Sequence, residues 1–152
     1  MNSIHKNKSS LQDIKININV KLSLLWIVVT LFYLYGDYFE LYVPKKVEGI
    51  LSGESLLNSP LKLFLASLLL AIPPLMVLVC ILLKPVLSRW LNIIFGVFFT
   101  AIMLLIAVTS ISPWYSFYVF YALVESIITS LIVWYAIGWP KDNTSRKIDQ
   151  AR

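Results

Sequence analysis

Four stretches of this chain stay apolar for the roughly 20 residues that a helix needs to cross a hydrocarbon core. They run from Leu22 to Tyr42, Leu61 to Leu83, Trp90 to Val108 and Phe117 to Trp139. No other feature restricts the fold as strongly. In lipid every backbone N–H and C=O must be paired within the protein, so each stretch is expected to be a helix. The predicted fold is all-α, a four-transmembrane-helix bundle forming one domain over residues 1–152, with short polar tails at 1–20 and 141–152. Composition agrees. The chain is 59% hydrophobic and 14% charged, whereas a soluble domain is about a quarter charged.

The net charge of +5 does not point to nucleic acid, because the basic residues flank the apolar stretches, where Lys and Arg act as topology signals. The N-terminal tail (His5, Lys6, Lys8, Lys15), the loop with Lys84 and Arg89, and the C-terminal tail (Lys141, Arg146, Lys147, Arg152) hold most of them. Both termini are therefore expected on the cytoplasmic side of a cell membrane, with the tails near anionic lipid. Trp26, Trp90, Trp134 and Trp139 would then form an inner aromatic belt, with Trp114 and Tyr115 at the outer face. About twenty mostly polar residues precede the first stretch and no small-residue cleavage site follows it, so it is read as an anchor that stays.

Three segments need separate readings. Ile14, Ile16, Ile18 and Val20 alternate with polar residues at strand period. A lone strand cannot lie unpaired in lipid, so Leu11 to Leu22 is expected to be an extended or irregular lead-in. The loop from Pro44 to Pro60 carries Val47, Ile50, Leu51, Leu56 and Leu57, which suits a short amphipathic piece at the outer surface. Ser59–Pro60 reads as an N-cap and first-turn proline. Pro73 and Pro74 fall within the second stretch, where they remove backbone donors. That kinks the helix, either to shape its packing or to widen a cavity.

The carboxylates carry the functional signal. Asp37 and Glu40 lie near the end of the first stretch and Glu125 lies in the body of the fourth. On insertion scales a charged residue at a helix centre costs roughly 2.5–3.5 kcal/mol. A chain that only had to span lipid would not need them. Helical spacing places Thr30, Tyr33, Asp37 and Glu40 on one face, and Tyr118, Tyr121, Glu125 and Thr129 on another. Asn92, Gly96 and Thr100 align on the third stretch, and Ala122, Ser126 and Ser130 offer a close-packing edge. The expected binding set is Tyr33, Asp37, Glu40, Thr100, Tyr118, Tyr121, Glu125 and Thr129. No stretch has a central Lys or Arg to neutralise Glu125, and Lys62 is the candidate to reach Asp37 or Glu40.

Other chemistry is poorly supplied. Cys80 is the sole cysteine, so there is neither an internal disulfide nor a CxxC pair. It is expected in the apolar core or facing lipid. One histidine, in the tail, rules out bis-histidine haem and His-rich zinc sites. No metal and no cofactor is expected. Arg89 reads as an anchor for a helix start, and Asn92 as a cap or a bond between helices.

The stretches KLSLLWIVVTLFYLYGDYFEL at Lys21 to Leu41, RWLNIIFG at Arg89 to Gly96 and LIVWYAIGWP at Leu131 to Pro140 resemble an uncharacterised family of small bacterial four-span membrane proteins. In size and topology that family is DoxX-like. The resemblance implies a fold and a bacterial inner-membrane location and supplies no activity. It also marks Tyr33, Tyr35, Asp37 and Glu125 as carried features.

Three functions compete. A cavity lined by carboxylates and tyrosines would bind or transport a proton, a cation or a small amphiphilic or cationic ligand. A membrane enzyme would use Glu125 and Asp37 for acid–base chemistry on a lipid or sterol-like substrate. A structural subunit would pack its polar stripe against a partner helix or, in a homo-oligomer, a second copy of itself.

Overall fold

A computed structural model describes residues 15–140. The tail residues His5, Lys6, Lys8, Lys141, Arg146, Lys147 and Arg152, on which the expected cytoplasmic side of the termini rests, lie outside the described residues, as does Ile14. Within them the chain is helical and has no strand. The elements are α1 (Ile18–Glu40), a short α2 (Lys46–Leu51), α3 (Pro60–Leu82), α4 (Pro85–Thr109) and α5 (Ser116–Ile137), with one 3-10 turn at Pro113–Tyr115 before α5. The four long helices have the length and hydropathy of membrane spans.

The helix boundaries follow local chemistry. Asn17 caps α1, its side-chain oxygen accepting from the Asn19 amide at 2.9 Å. This overturns the reading of an extended lead-in as far as Leu22: helix begins at Ile18, and of the described residues before it 15–17 are non-helical. The strand-like alternation loses because the cap and the buried residues Leu22 and Ser23 tie that turn into the bundle. Ser59 caps α3, accepting from the Lys62 amide at 3.3 Å, with Pro60 at the start of the helix. α4 starts at Pro85 instead of Trp90, because a first-turn proline loses no bond that the helix would have made. α3 runs without a break through Pro73 and Pro74.

The helices form a ring in the order α3, α1, α5, α4. α4 lies along α5 over the longest contact, α1 sits against both α3 and α5, and α3 meets α4 only lightly. Leu83 and Lys84 alone join α3 to α4, so these two helices are close at that end.

Packing differs between the two ends of the ring. At the end where α1 starts, Leu22, Trp26, Val29, Met76, Cys80, Phe99 and Ile132 make one buried core. Trp26 is completely buried, so it is no member of an interfacial belt; Trp90 and Trp134 are exposed. The reason is a partner. The Trp26 indole N–H donates to Asn92 Oδ1 at 2.7 Å, and a buried indole needs such an acceptor. Asn92 in turn donates to the Ser88 carbonyl at 2.8 Å and its amide lies 3.3 Å from Cys80 Sγ. Asn92 thus bonds across helices, and Cys80 is a core residue. Arg89 does more than anchor its own helix: its Nε donates to the Ala136 carbonyl at 3.1 Å and its guanidinium reaches the Ile137 carbonyl at 3.4 Å. It satisfies carbonyls that the end of α5 would otherwise leave open. At the opposite end the buried cluster is only Met103, Ala107 and Ala122.

Candidate functional site

The gap between these two clusters is a cavity of about 120 Å³. α5 supplies Tyr118, Tyr121, Ala122 and Glu125, residues three and four apart that share one helical face. α1 supplies Phe32, Tyr33, Gly36 and Asp37, α3 supplies Leu69 and Leu70, and α4 closes the wall with Phe99, Met103 and neighbouring isoleucines. Aromatic contacts fix this part of the wall: Phe32 meets Tyr121 edge-to-face at 5.2 Å between ring centroids, and Tyr33 meets Phe99 in a tilted pair at 5.9 Å. Gly36 lets both α5 tyrosines lie against the α1 backbone; a Cβ there would stand 3.6 Å from Tyr118 and 3.7 Å from Tyr121.

Two polar groups in this wall have no side-chain partner among the described residues. Glu125 is 3% exposed and has no salt bridge among the described residues. The Tyr33 hydroxyl is buried with no hydrogen-bond partner. A buried hydroxyl left unpaired costs about 1–3 kcal/mol, and groups of this kind call for an occupant such as water, an ion or a ligand. Pro73 and Pro74 have no N–H, so the carbonyls of Leu69 and Leu70, four residues earlier, lose their regular helical donors. Both residues line the cavity. Asp37 and Leu70 are also exposed at the bundle surface, so the cavity is not sealed.

Of the residues expected from sequence, Tyr33, Asp37, Tyr118, Tyr121 and Glu125 meet in this one cavity. Three lie outside it. Thr100 and Thr129 bond to each other across α4 and α5 at 2.7 Å, and Thr129 is fully buried and also bonds to the Glu125 carbonyl at 2.9 Å. Glu40 sits nearer the end of the bundle, where Lys46 meets it at 2.6 Å and the Tyr115 hydroxyl donates to it at 3.3 Å. Partial burial works against the Lys46 charge, but the hydrogen bond and charge of Glu40 outweigh it and raise the Lys46 pKa above the ordinary lysine value. Lys62, expected to reach Asp37 or Glu40, bonds to Asn58 at 2.8 Å instead. Lys46 takes its place because Lys45, in a left-handed conformation with φ 65°, turns α2 back toward the end of α1.

Sequence reasoning missed Gly36, Phe32 and the α3 wall. Gly36 was within reach, since it falls three residues after Tyr33 and four before Glu40 on the same face. The α3 wall carries no polar side chain and so gave no signal. Among the described residues no cluster of His, Cys, Asp and Glu suits a metal ion.

Residues 12–146 match a family described as a family of unknown function (DUF6326). The match covers most of the chain, and the chain belongs to that family. The resemblance read from the three quoted stretches, to a family without assigned function and with four apolar spans, is borne out. No curated protein and no solved structure matches the chain.

Proposed function

We propose that this member of the family is a multi-pass protein of the bacterial inner membrane, with both termini cytoplasmic, whose cavity binds or transports a proton, a small cation or the amine end of an amphiphile. The observation that carries this reading is the Glu125 carboxylate, 3% exposed and without a cation among the described residues, on the wall of a cavity that also holds an unpartnered tyrosine hydroxyl. An ionisable group inside a membrane helix marks a functional site by default. Here the missing positive charge is the one a ligand would bring. Phe32, Phe99 and Met103 would take an apolar stem, while Tyr33 and Glu125 take the polar end.

Size bears on the choice between ligands. A volume of about 120 Å³ falls below the roughly 300–1,000 Å³ of pockets that enclose drug-sized molecules. It is close to the ~150 Å³ void that admits benzene. That supports a small occupant over a sterol-sized substrate. Asp37, exposed and on the same wall, is a natural way station between the cavity and the rim where Glu40 and Lys46 pair.

The test is binding of a matched pair of probes, n-butylamine and n-butanol, to the protein in mild detergent. Glu125→Gln should weaken amine binding about tenfold, the value of one charge-assisted hydrogen bond, and leave the alcohol nearly unchanged. Equal amine binding by wild type and variant would remove Glu125 from the site.

A further inference from the structure

A second concave site lies at the other end of the bundle, where α1 begins and α5 finishes. It is a groove of about 790 Å³, and its walls include Lys15 and Asn17 just before α1, Lys21 in its first turn, Pro85 from α4, Trp134 from α5 and Trp139 just beyond α5. Among the described residues its lining has two lysines and no acidic side chain. The Lys21 ammonium stands 4.6 Å from the centroid of the Tyr135 ring, inside the ~6 Å range of a cation–π contact. That contact positions the charge at the groove without neutralising it. The positive end of the α1 dipole lies beside the negative end of the α5 dipole here, so the attraction for an anion comes from the two lysines.

The depth of the groove identifies the kind of anion. It sits at the polar edge of the apolar band, where tryptophans gather at headgroup level. Trp134 is 74% exposed, presenting an indole to whatever surrounds that end of the bundle. Ile16, Val20 and Ile137 beside the groove are exposed as well and form an apolar flank. Positive groups at headgroup depth, with aromatics and an apolar flank, match a molecule that is anionic at one end and hydrocarbon at the other.

We propose that this groove is a binding site for the headgroup of an anionic phospholipid. The phosphate lies between Lys15 and Lys21, the glycerol region rests on the tryptophans, and the acyl chains run along the exposed flank. Basic pockets between membrane helices bind lipid headgroups on this principle. The site is separate from the Glu125 cavity and does not depend on what that cavity binds.

The experiment is native mass spectrometry of the full chain in mild detergent, with phosphatidylglycerol and phosphatidylcholine of identical acyl chains added in turn. Wild type should retain phosphatidylglycerol about fivefold better than phosphatidylcholine. Lys15→Gln and Lys21→Gln should each cut phosphatidylglycerol retention about fivefold, the effect of one lysine near an anionic surface, and Lys21→Arg should keep it. Lys84→Gln removes the same charge at the same end of the bundle from a residue that does not line the groove, and should leave retention unchanged. Equal retention of the two lipids, or an equal loss in Lys84→Gln, would overturn the proposal. So would displacement of the lipid by millimolar inorganic phosphate, which would make the groove a site for the free anion.

Discussion

Gly96→Leu should destabilise the bundle by about 3 kcal/mol, at the upper end of ordinary overpacking costs. Gly96 is buried in α4 where that helix lies along α5. Even a Cβ at this position would stand 2.6 Å from Val133 Cγ2 and 3.4 Å from the Thr129 carbonyl oxygen. Val133 is β-branched and stiff about χ1, so it has little room to turn away. The Thr129 oxygen is backbone and moves only with its helix. A leucine side chain must therefore push α4 from α5, which also stretches the Thr100–Thr129 hydrogen bond. Denaturant unfolding in detergent micelles measures the loss. Val133→Ala in the Gly96→Leu background should recover part of it, because the nearest obstacle is then gone. Gly49→Ala is the control, since nothing lies within 4 Å of a Cβ there, and it should be neutral. Wild-type stability in Gly96→Leu would show that the two helices pack otherwise.

Asn92→Ala should cost about 2 kcal/mol. The substitution leaves the Trp26 indole N–H buried without an acceptor, for which about 1–3 kcal/mol is expected. Hydrogen bonds between membrane helices average nearer 0.6 kcal/mol, with a maximum near 1.7. The bond here is 2.7 Å long and joins two completely buried residues, which places it toward the top of that range, and the lost Ser88 and Cys80 contacts add to it. A double-mutant cycle isolates the bond. Trp26→Phe has no indole N–H, so the combined variant should lose clearly less than the sum of the two single losses. Strict additivity would mean that Trp26 and Asn92 do not sense each other.

The spans were legible because a bilayer sets both the length and the polarity of whatever crosses it, and a run such as Leu61 to Leu83 meets both demands. Faces were legible to the precision of helical spacing. Tyr33 with Asp37, and Tyr121 with Glu125, fall on shared faces, and those residues do meet at one cavity. The same spacing put Thr129 beside Glu125, yet Thr129 turns to Thr100. A fraction of a turn separates a side chain that lines a cavity from one that meets the next helix, and the sequence of one helix does not fix its rotation against another. Trp26 went astray for a related reason. An indole suits a membrane interface or a core with an acceptor, and the acceptor that decides the matter lies 66 residues away. The Lys46–Glu40 pair depends on the left-handed turn at Lys45, a conformation that no hydrophobic period records.

The burial of Trp26 also gives the molecule an optical asymmetry. Trp90, Trp114 and Trp134 present their rings to the surroundings and Trp139 is half-buried, whereas Trp26 is sealed and hydrogen-bonded inside the core. A brominated acyl chain quenches only the indoles it can touch, so it would darken the outer tryptophans and spare the inner one. The light that remains would come from Trp26, where the Asn92 bond makes a junction of α1 with α4 across the ring, and in part from Trp139. Its wavelength would follow how tightly that junction is closed, in the native chain and without an added dye.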